Sequence, residues 1–400
     1  MFSLSGGLRF SFLNRNKKVL ALSALLLYMP FSQAQKALDF TIHQEYLSTR
    51  ALGMGNAFTA VVDDHSAVLY NPAALARRED GHLRMWLGAA IEPDYLDLVN
   101  EIGDASDLED EDEKLDKIEE LIVKNYGKHY HSRLPVLGAM WARPNWGIAL
   151  IPGDLSIDIG IHQQIGPMIN VNAYLDTTLA YSYARNPKWF GNKKQFSLGG
   201  TLKAIHRVNA SEAISVGRLA SDGEVFDTAD ANEGMTFDVD IGTLWTPTIA
   251  EKGWLRFTRP TFAIVARNVI DHGFNYNFHL LDENSGKPPK LQRRFDFGSK
   301  WQLPKLWVFD PKLAFDIRDV GHTNWTPKKG SHAGFEAYWT MFNWWKGHWA
   351  AGLNQGYWTA GFGARLAWFQ LDLATYGEEV GTDKVAKESR RYVVEMALDF

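Results

Sequence analysis

Twelve ionisable residues fall at positions where they could act together: Asp176, Lys203, Asp238, Asp240, Arg267, Asp296, Lys300, Asp316, Arg318, Glu336, Asp372 and Glu395. Both signs are interspersed among them. Mixed charges on one face favour ion pairs knitted between neighbouring segments, whereas a selective ion path needs unpaired charges of one sign. Other chemistry has less support. The chain has no Gly-x-Ser-x-Gly elbow and no His-Glu-x-x-His pair. It has no cysteine, which excludes a thiolate nucleophile, a thiolate metal site and disulfide staples. His129 and His131 would share a face if extended, yet no third ligand follows at a recognisable spacing, so they read as surface histidines. No catalytic residue, metal or cofactor is expected.

The charged positions recur with a period of two, which is the spacing of a β-strand with one apolar and one polar face. Val171, Ala173, Leu175, Thr177, Leu179, Tyr181 and Tyr183 oppose Asn172, Tyr174, Asp176, Thr178 and Ser182. Met235, Phe237, Val239, Ile241 and Trp245 oppose Thr236, Asp238, Asp240 and Gly242. The same alternation sets Phe295, Phe297 and Trp301 against Arg294, Asp296, Gly298 and Lys300, and Leu313, Phe315 and Ile317 against Lys312, Asp316 and Arg318. Phe369, Leu371 and Leu373 oppose Gln370, Asp372 and Ala374. In the last strand Tyr392, Val394, Met396, Leu398 and Phe400 oppose Val393, Glu395, Ala397 and Asp399. Apolar outside and ionic inside is the pattern of a membrane barrel. Register is then enforced, since turning Asp238 or Asp240 to the lipid would cost on the order of 1 kcal/mol each.

About fourteen strands are expected, beginning near His82, Ser132, Trp146, Val171, Gln195, Met235, Thr261, Leu291, Pro311, Ser331, His348, Tyr357, Phe369 and Arg390. Short connections fall at Pro144-Asn145, 186–194, 247–253, 303–306, 342–347 and around Trp368. Trp141, Trp146, Trp189, Trp245, Trp254, Trp301, Trp307, Trp344, Trp345 and Trp368 flank them, as expected of an indole belt at one membrane interface. The long connections leave from the opposite rim. One of them, 97–126, is acidic around Asp107 to Glu113 and then places Leu115, Ile118, Leu121 and Ile122 at helical spacing. It should carry one short amphipathic helix with a solvated acidic face, because the glycine and terminal glutamate of a calcium loop are missing.

The N-terminus supplies the compartment. Lys17 and Lys18 precede an apolar run from Val19 to Phe31, and Ser32-Gln33-Ala34 follows, so a secretory signal over residues 1–34 is expected. The run is too short to cross a bilayer as a helix, which takes about 20 residues. Removing the leader takes away four basic residues and no acids, shifting the net charge from -5 to -9. That sign argues against nucleic acid as a partner.

Thr49-Arg50-Ala51-Leu52-Gly53-Met54-Gly55-Asn56-Ala57 leads on to Asp63-Asp64 and then to Asn71-Pro72-Ala73. This stretch resembles the N-terminal segment of the long-chain fatty acid transporter (FadL) superfamily of outer-membrane proteins. It is most similar to the PorV-like and TraF-like branches, as are 266–270 and 376–381. A terminal strand with Tyr392 and a final Phe400 also looks like the signal read by the outer-membrane assembly machinery.

The resemblance implies an all-β, fourteen-stranded transmembrane barrel at 82–400 with a hatch at 35–81 folded into the lumen. Gating would involve Arg50, Gly53, Gly55, Asp63, Asp64, Asn71, Pro72 and Ala73. Gly53 and Gly55 permit close backbone approach, and Asp63 and Asp64 are placed to accept from inward-facing Arg or Lys. Expected partners are outer-membrane lipid, the assembly machinery, and a hydrophobic ligand or a secretion partner protein. The implied function is passive uptake of hydrophobic or amphipathic molecules, with a non-transporting scaffold for secretion or conjugation-type assembly as the alternative.

Overall fold

The computed structural model describes residues 40–163, 167–188, 195–215, 231–247, 253, 255–278, 280–281, 285–381 and 385–400. The expected leader, Trp189 and Trp254 lie outside them. Short helices α1 (Thr49–Gly53) and α2 (Ala67–Tyr70) and a 3-10 segment (Pro72–Arg77) precede β1 (His82–Ile91). Helices α3 (Pro93–Ser106) and α4 (Glu111–Lys124) follow, then β2 (His129–Arg143), β3 (Trp146–Gln163), β4 (Pro167–Arg185), β5 (Phe196–Ser215) and β6 (Asn232–Trp245). The remaining strands are β7 (Thr261–Arg267), β8 (Arg294–Gln302), β9 (Phe309–Val320), β10 (Ser331–Phe342), β11 (Trp345–Asn354), β12 (Tyr357–Leu366), β13 (Phe369–Glu379) and β14 (Glu388–Asp399).

Each strand pairs antiparallel with its sequence neighbours, and β14 pairs with β1 to close the cylinder. The seam runs from Arg84 opposite Asp399 to Ile91 opposite Tyr392, and Leu83 and Phe400 exchange backbone bonds of 3.0 and 2.8 Å. Closure leaves no strand edge, as hydrocarbon requires. Outward-facing Leu87, Leu150, Leu179, Leu202, Phe237, Phe315, Val394 and Met396 are exposed, while the alternate Glu395 and Asp399 are buried. The chain is therefore a transmembrane β-barrel of fourteen strands. Trp141, Trp245, Trp307, Trp344, Trp345 and Trp368 are exposed at the short-turn rim. A ring there keeps its body in lipid and its N–H within reach of water.

The opposite rim departs from expectation in two ways. Residues 97–126 carry two long helices instead of one short one, because Tyr95, Leu98, Val99 and Ile102 also recur at helical spacing. Asp110 caps α4 by accepting from Asp112 N and Glu113 N, both at 3.0 Å. The helices bury Tyr95, Leu98, Val99, Ile118, Leu121 and Ile122 in one cluster with Ile157, Ile159, Ile161, Ile169 and Val171 of β3 and β4. Those strand residues face outward, so the helix pair covers an apolar wall that projects beyond the bilayer. Leu115 stays exposed. With its wall covered, the sheet extends further than the turn signals indicated. β5 runs to Ser215, and β6 starts at Asn232, three residues before the expected Met235.

Leu202 is 54% exposed on the outward face of β5, so Leu202→Arg should lower folding stability in lipid vesicles by up to about 2–4 kcal/mol, the cost of a cation at the bilayer midplane. Leu202→Ala should cost far less, and urea titration followed by tryptophan fluorescence compares the two.

Candidate functional site

The chain before β1 lies against the inner wall. Met54, Phe58, Val61, Val68, Tyr70 and Leu75 are buried in one cluster with the inward-facing alanines Ala142, Ala149, Ala180, Ala263, Ala314, Ala350 and Ala397. Where the approach is closest the wall has glycine. A Cβ on Gly361 would sit 2.7 Å from Gly53 Cα, one on Gly199 2.5 Å from the Pro72 carbonyl carbon, and one on Gly298 2.8 Å from Thr59 Cβ. Gly55 has φ +65° and its own Cβ would strike the backbone of Leu353, 2.7 Å from its nitrogen, so that position needs glycine on both counts.

A segment without sheet partners must satisfy its backbone elsewhere. Here the wall side chains do so. Arg267 donates to Leu69 O (2.8 Å) and Tyr70 O (2.9 Å), and Arg318 donates to Asn56 O (3.0 Å). Ser182 and Thr201 hydroxyls both donate to Val68 O at 2.9 Å, Thr359 donates to Gly53 O at 2.9 Å, and Thr59 N donates to Asp316 at 2.7 Å. Asn71 is buried. It donates to Thr59 O and Thr243 O and accepts from Ala73 N, capping the 3-10 turn that Pro72 begins.

One ion cluster fastens the segment. Arg50 reaches Glu336 of β10 through Nε (2.6 Å) and Nη2 (2.8 Å), and its Nη1 reaches Asp63 and Asp64, both at 2.7 Å. Lys312 of β9 completes it, 3.0 Å from Asp63 and 2.9 Å from Glu336. The acceptor sites of Asp63 and Asp64 are thus filled chiefly from within their own segment, by Arg50, with one wall cation added. Burial pushes the Asp63 carboxyl up, but Arg50 and Lys312 outweigh it and hold it at about 2. Burial pushes the neighbouring His65 down to about 3, so it is neutral.

Of the twelve alternating charges, Asp176 pairs with Arg207 (2.6 Å) and Lys203 with Asp240 (3.0 Å). Asp296 lies 2.6 Å from Arg267 and 3.8 Å from Arg318, and Asp372 and Glu395 both meet Arg84 at 2.5 Å. Asp238 accepts from the backbone of Val239, Ile270 and Asp271. Lys300 is half-buried, with no carboxylate within 4.0 Å among the described residues. Sequence reasoning missed Arg84, Arg133, Asp154, Arg207, Glu45 and Asp319 as members of the network. Arg84, Arg133, Asp154 and Arg207 obey the same two-residue rule, whereas Asp319 follows inward Arg318 directly and breaks it at a φ of +59°.

His129 and His131 are not surface residues. β2 begins at His129, which turns both inward, and they lie 3.6 and 2.9 Å from one oxygen of Asp158. No cluster of three ligating side chains forms among the described residues.

Among the described residues, the longest gap between two paired stretches of the same two strands lies between β2 and β3. β2 and β3 pair as far as Arg133 opposite Ser156 and resume at Ala139 opposite Leu150, with nothing paired between them among the described residues. β2 is irregular against β1 between Gly88 and Ala90, and β3 shifts against β4 between Ile151 and Asp154. The causes are local. Pro135 and Pro152 have no N–H for the ladder, and Gly153 has φ +72°. Inward-facing Val136 and the inner segment's Tyr46 lie at the margin of the apolar cluster there. Two of the polar cavities lined by the described residues flank the inner segment. One of about 330 Å³ toward the long loops is lined by His43, Tyr174, Arg207, Gln292 and Arg294. The other, of about 620 Å³ toward the short turns, is lined by Arg50, Asp63, Lys312, Lys346, Arg365 and Asp399.

These features define a transmembrane barrel whose lumen is occupied by its own N-terminal segment. No family model matches the chain, and no curated protein matches it in sequence. Among solved structures, the Ralstonia pickettii toluene transporter TbuX is 9% identical, with 89% of this chain and 99% of that one covered at a TM-score of 0.47. The TodX deltaS2S3 mutant monoaromatic hydrocarbon channel is 9% identical over 88% and 97% at 0.45. A Pseudomonas aeruginosa FadL homologue is 9% identical over 91% and 99% at 0.40. At these scores the likenesses carry no argument about what this chain does.

Arg50→Ala leaves Glu336 buried with one cation fewer and should weaken docking of the segment by about 3–5 kcal/mol. The readout is protease cleavage between residues 50 and 64 in a barrel that remains closed. Because the folded pKa of Asp63 lies below the ordinary 3.8, its contribution is complete above that value and is lost as pH falls toward about 2. Leak conductance in planar bilayers should therefore be flat from neutrality to about pH 4 and rise below it.

Proposed function

We propose that this chain is an outer-membrane transport protein of the fatty-acid-transporter superfamily, admitting hydrophobic or amphipathic small molecules passively. The observation that carries the reading is the unpaired stretch between β2 and β3. The axial route is obstructed by the inner segment and flanked by polar cavities, whereas a break in the wall with Val136 and Tyr46 behind it offers an apolar molecule a way between lipid and lumen. The motif from Thr49 to Leu75 supports the same family. In this reading residues 1–34 are a cleaved signal, 35–81 are a hatch and 82–400 the barrel, with Tyr392 and Phe400 on the strand that the assembly machinery reads. Arg50, Asp63, Asp64 and the Asn71-Pro72-Ala73 turn hold the hatch shut, and Gly53 and Gly55 let it seat.

The glycine contacts favour a second reading. A segment seated this closely against Gly199, Gly298 and Gly361 suits a permanently closed barrel that serves as a scaffold for secretion or conjugation-type assembly.

With no native cysteine in the chain, Leu134→Cys with Leu155→Cys would staple β2 to β3 across the break. Transport through the wall predicts that oxidation abolishes uptake of an apolar dye into cells and that reduction restores it. Uptake equal to a barrel-free strain in both states, with a protein partner co-purifying, would favour the scaffold.

A further inference from the structure

The cavity on the short-turn side contains a cross-strand cation pair without the carboxylates that compensate the pair formed by Arg267 and Arg294 elsewhere in the lumen. Lys346 of β11 and Arg365 of β12 are direct cross-strand partners, and both face inward into this cavity. Like charges directly opposite one another destabilise a sheet. Two of the other inward cations at this end, unlike Lys300, are compensated. Arg84 meets Asp372, Glu395 and Asp399, and Lys312 meets Asp63 and Glu336. Arg365 has nothing comparable. Its Nε and Nη2 donate to the carbonyls of Ala367 (2.8 Å) and Asp399 (3.2 Å), and its nearest carboxylate oxygen, on Asp399, is 3.9 Å away. Lys346 has no carboxylate within 4.0 Å among the described residues.

Of the acids that share the cavity, all but the exposed Asp80 are engaged already, Asp310 by Gln302 at 2.6 Å. Asp63 and Asp64 are held by Arg50, and Asp399 by Arg84 with His82 at 3.3 Å. Tyr338 and His348, cross-strand partners on β10 and β11, stand on the same wall and supply neutral polar groups beside the two cations. At about 620 Å³ the space is of small-molecule size.

We propose that this vestibule binds a small soluble oxyanion, a phosphate or carboxylate, between Lys346 and Arg365. The anion supplies the negative charge that the cross-strand pair lacks, through the ammonium of Lys346 and Nη1 of Arg365, which is 3.9 Å from its nearest carboxylate oxygen and so makes no hydrogen bond to it. The site faces the aqueous lumen beneath the inner segment, not the lipid, so its ligand arrives from the short-turn side. It is independent of whether anything crosses the wall between β2 and β3.

The test uses the full barrel in detergent micelles, with inorganic phosphate and citrate titrated at constant ionic strength and read by calorimetry and thermal unfolding. Wild type should bind at least one of them saturably and gain heat resistance. Lys346→Gln and Arg365→Gln should each weaken that binding by about tenfold or more, as expected for loss of a charge-assisted contact. Each should also raise heat resistance in anion-free buffer, because the repulsion is removed; that gain reports a folded barrel. Lys305→Gln, an exposed cation at the same rim, should change neither. Absence of saturable binding to wild type, or undiminished affinity in both variants, overturns the proposal. So does binding of a poly-glutamate peptide without binding of either small anion, which would assign the site to a protein segment.

Discussion

Closure of β14 onto β1 is the constraint on which everything else rests. A chain with a mean hydropathy of -0.25 and, among the described residues, no apolar helix long enough to span a bilayer can place those residues in hydrocarbon only if every backbone donor and acceptor there is paired within the sheet. Once the sheet is closed, alternation has only one consistent solution. The wide apolar face must be outside, and carboxylates and guanidinium groups must find each other inside, where unpaired charge is costly. The buried network linking Arg84, Arg133, Arg207, Arg267, Arg294 and Arg318 to carboxylates follows from that geometry.

The same closure creates a lumen that has to be filled or hydrated, and the inner segment fills its centre. Apolar packing comes from alanine on the wall against larger residues on the segment. Specificity of seating comes from glycine-to-backbone contacts that a single added carbon would disturb. Arg50 adds a directional element, since its fork spans Glu336 on one side and Asp63 with Asp64 on the other. A buried pair of this kind is weak evidence for net stability, and its value lies in fixing one seating over others. The cluster borders the turn-side cavity, so the part of the segment open to water there is also the part held by charge.

The barrel is uneven around its circumference. β2 to β5 are the tall side, clad by α3 and α4, and the wall breaks on that side at the prolines of β2 and β3. β7 and β8 are short. The tall wall needs its covering because outward Ile157, Ile159 and Ile161 continue above the lipid, and the acidic outer faces of the helices keep that covering soluble. The break and the two helices therefore lie on one side of the barrel.

Alternation alone made the strand count, the lipid face, and the inward placement of residues such as Asp240, Asp296 and Glu395 readable, because a period of two is local and survives without knowledge of partners. The tryptophan rim was readable for the same reason, since each ring sits beside its own turn. α3 was missed although Tyr95, Leu98, Val99 and Ile102 carried the signal, and the full height of β5 was not readable because nothing local announces that helices will cover the neighbouring wall. Pairing belongs to the tertiary structure. That Arg50 takes Asp63, Asp64 and Glu336, that Lys346 faces Arg365, and that His129 and His131 turn toward Asp158 depend on register and closure between residues far apart in the chain. Inter-strand register is a relation between segments, and no single segment encodes it.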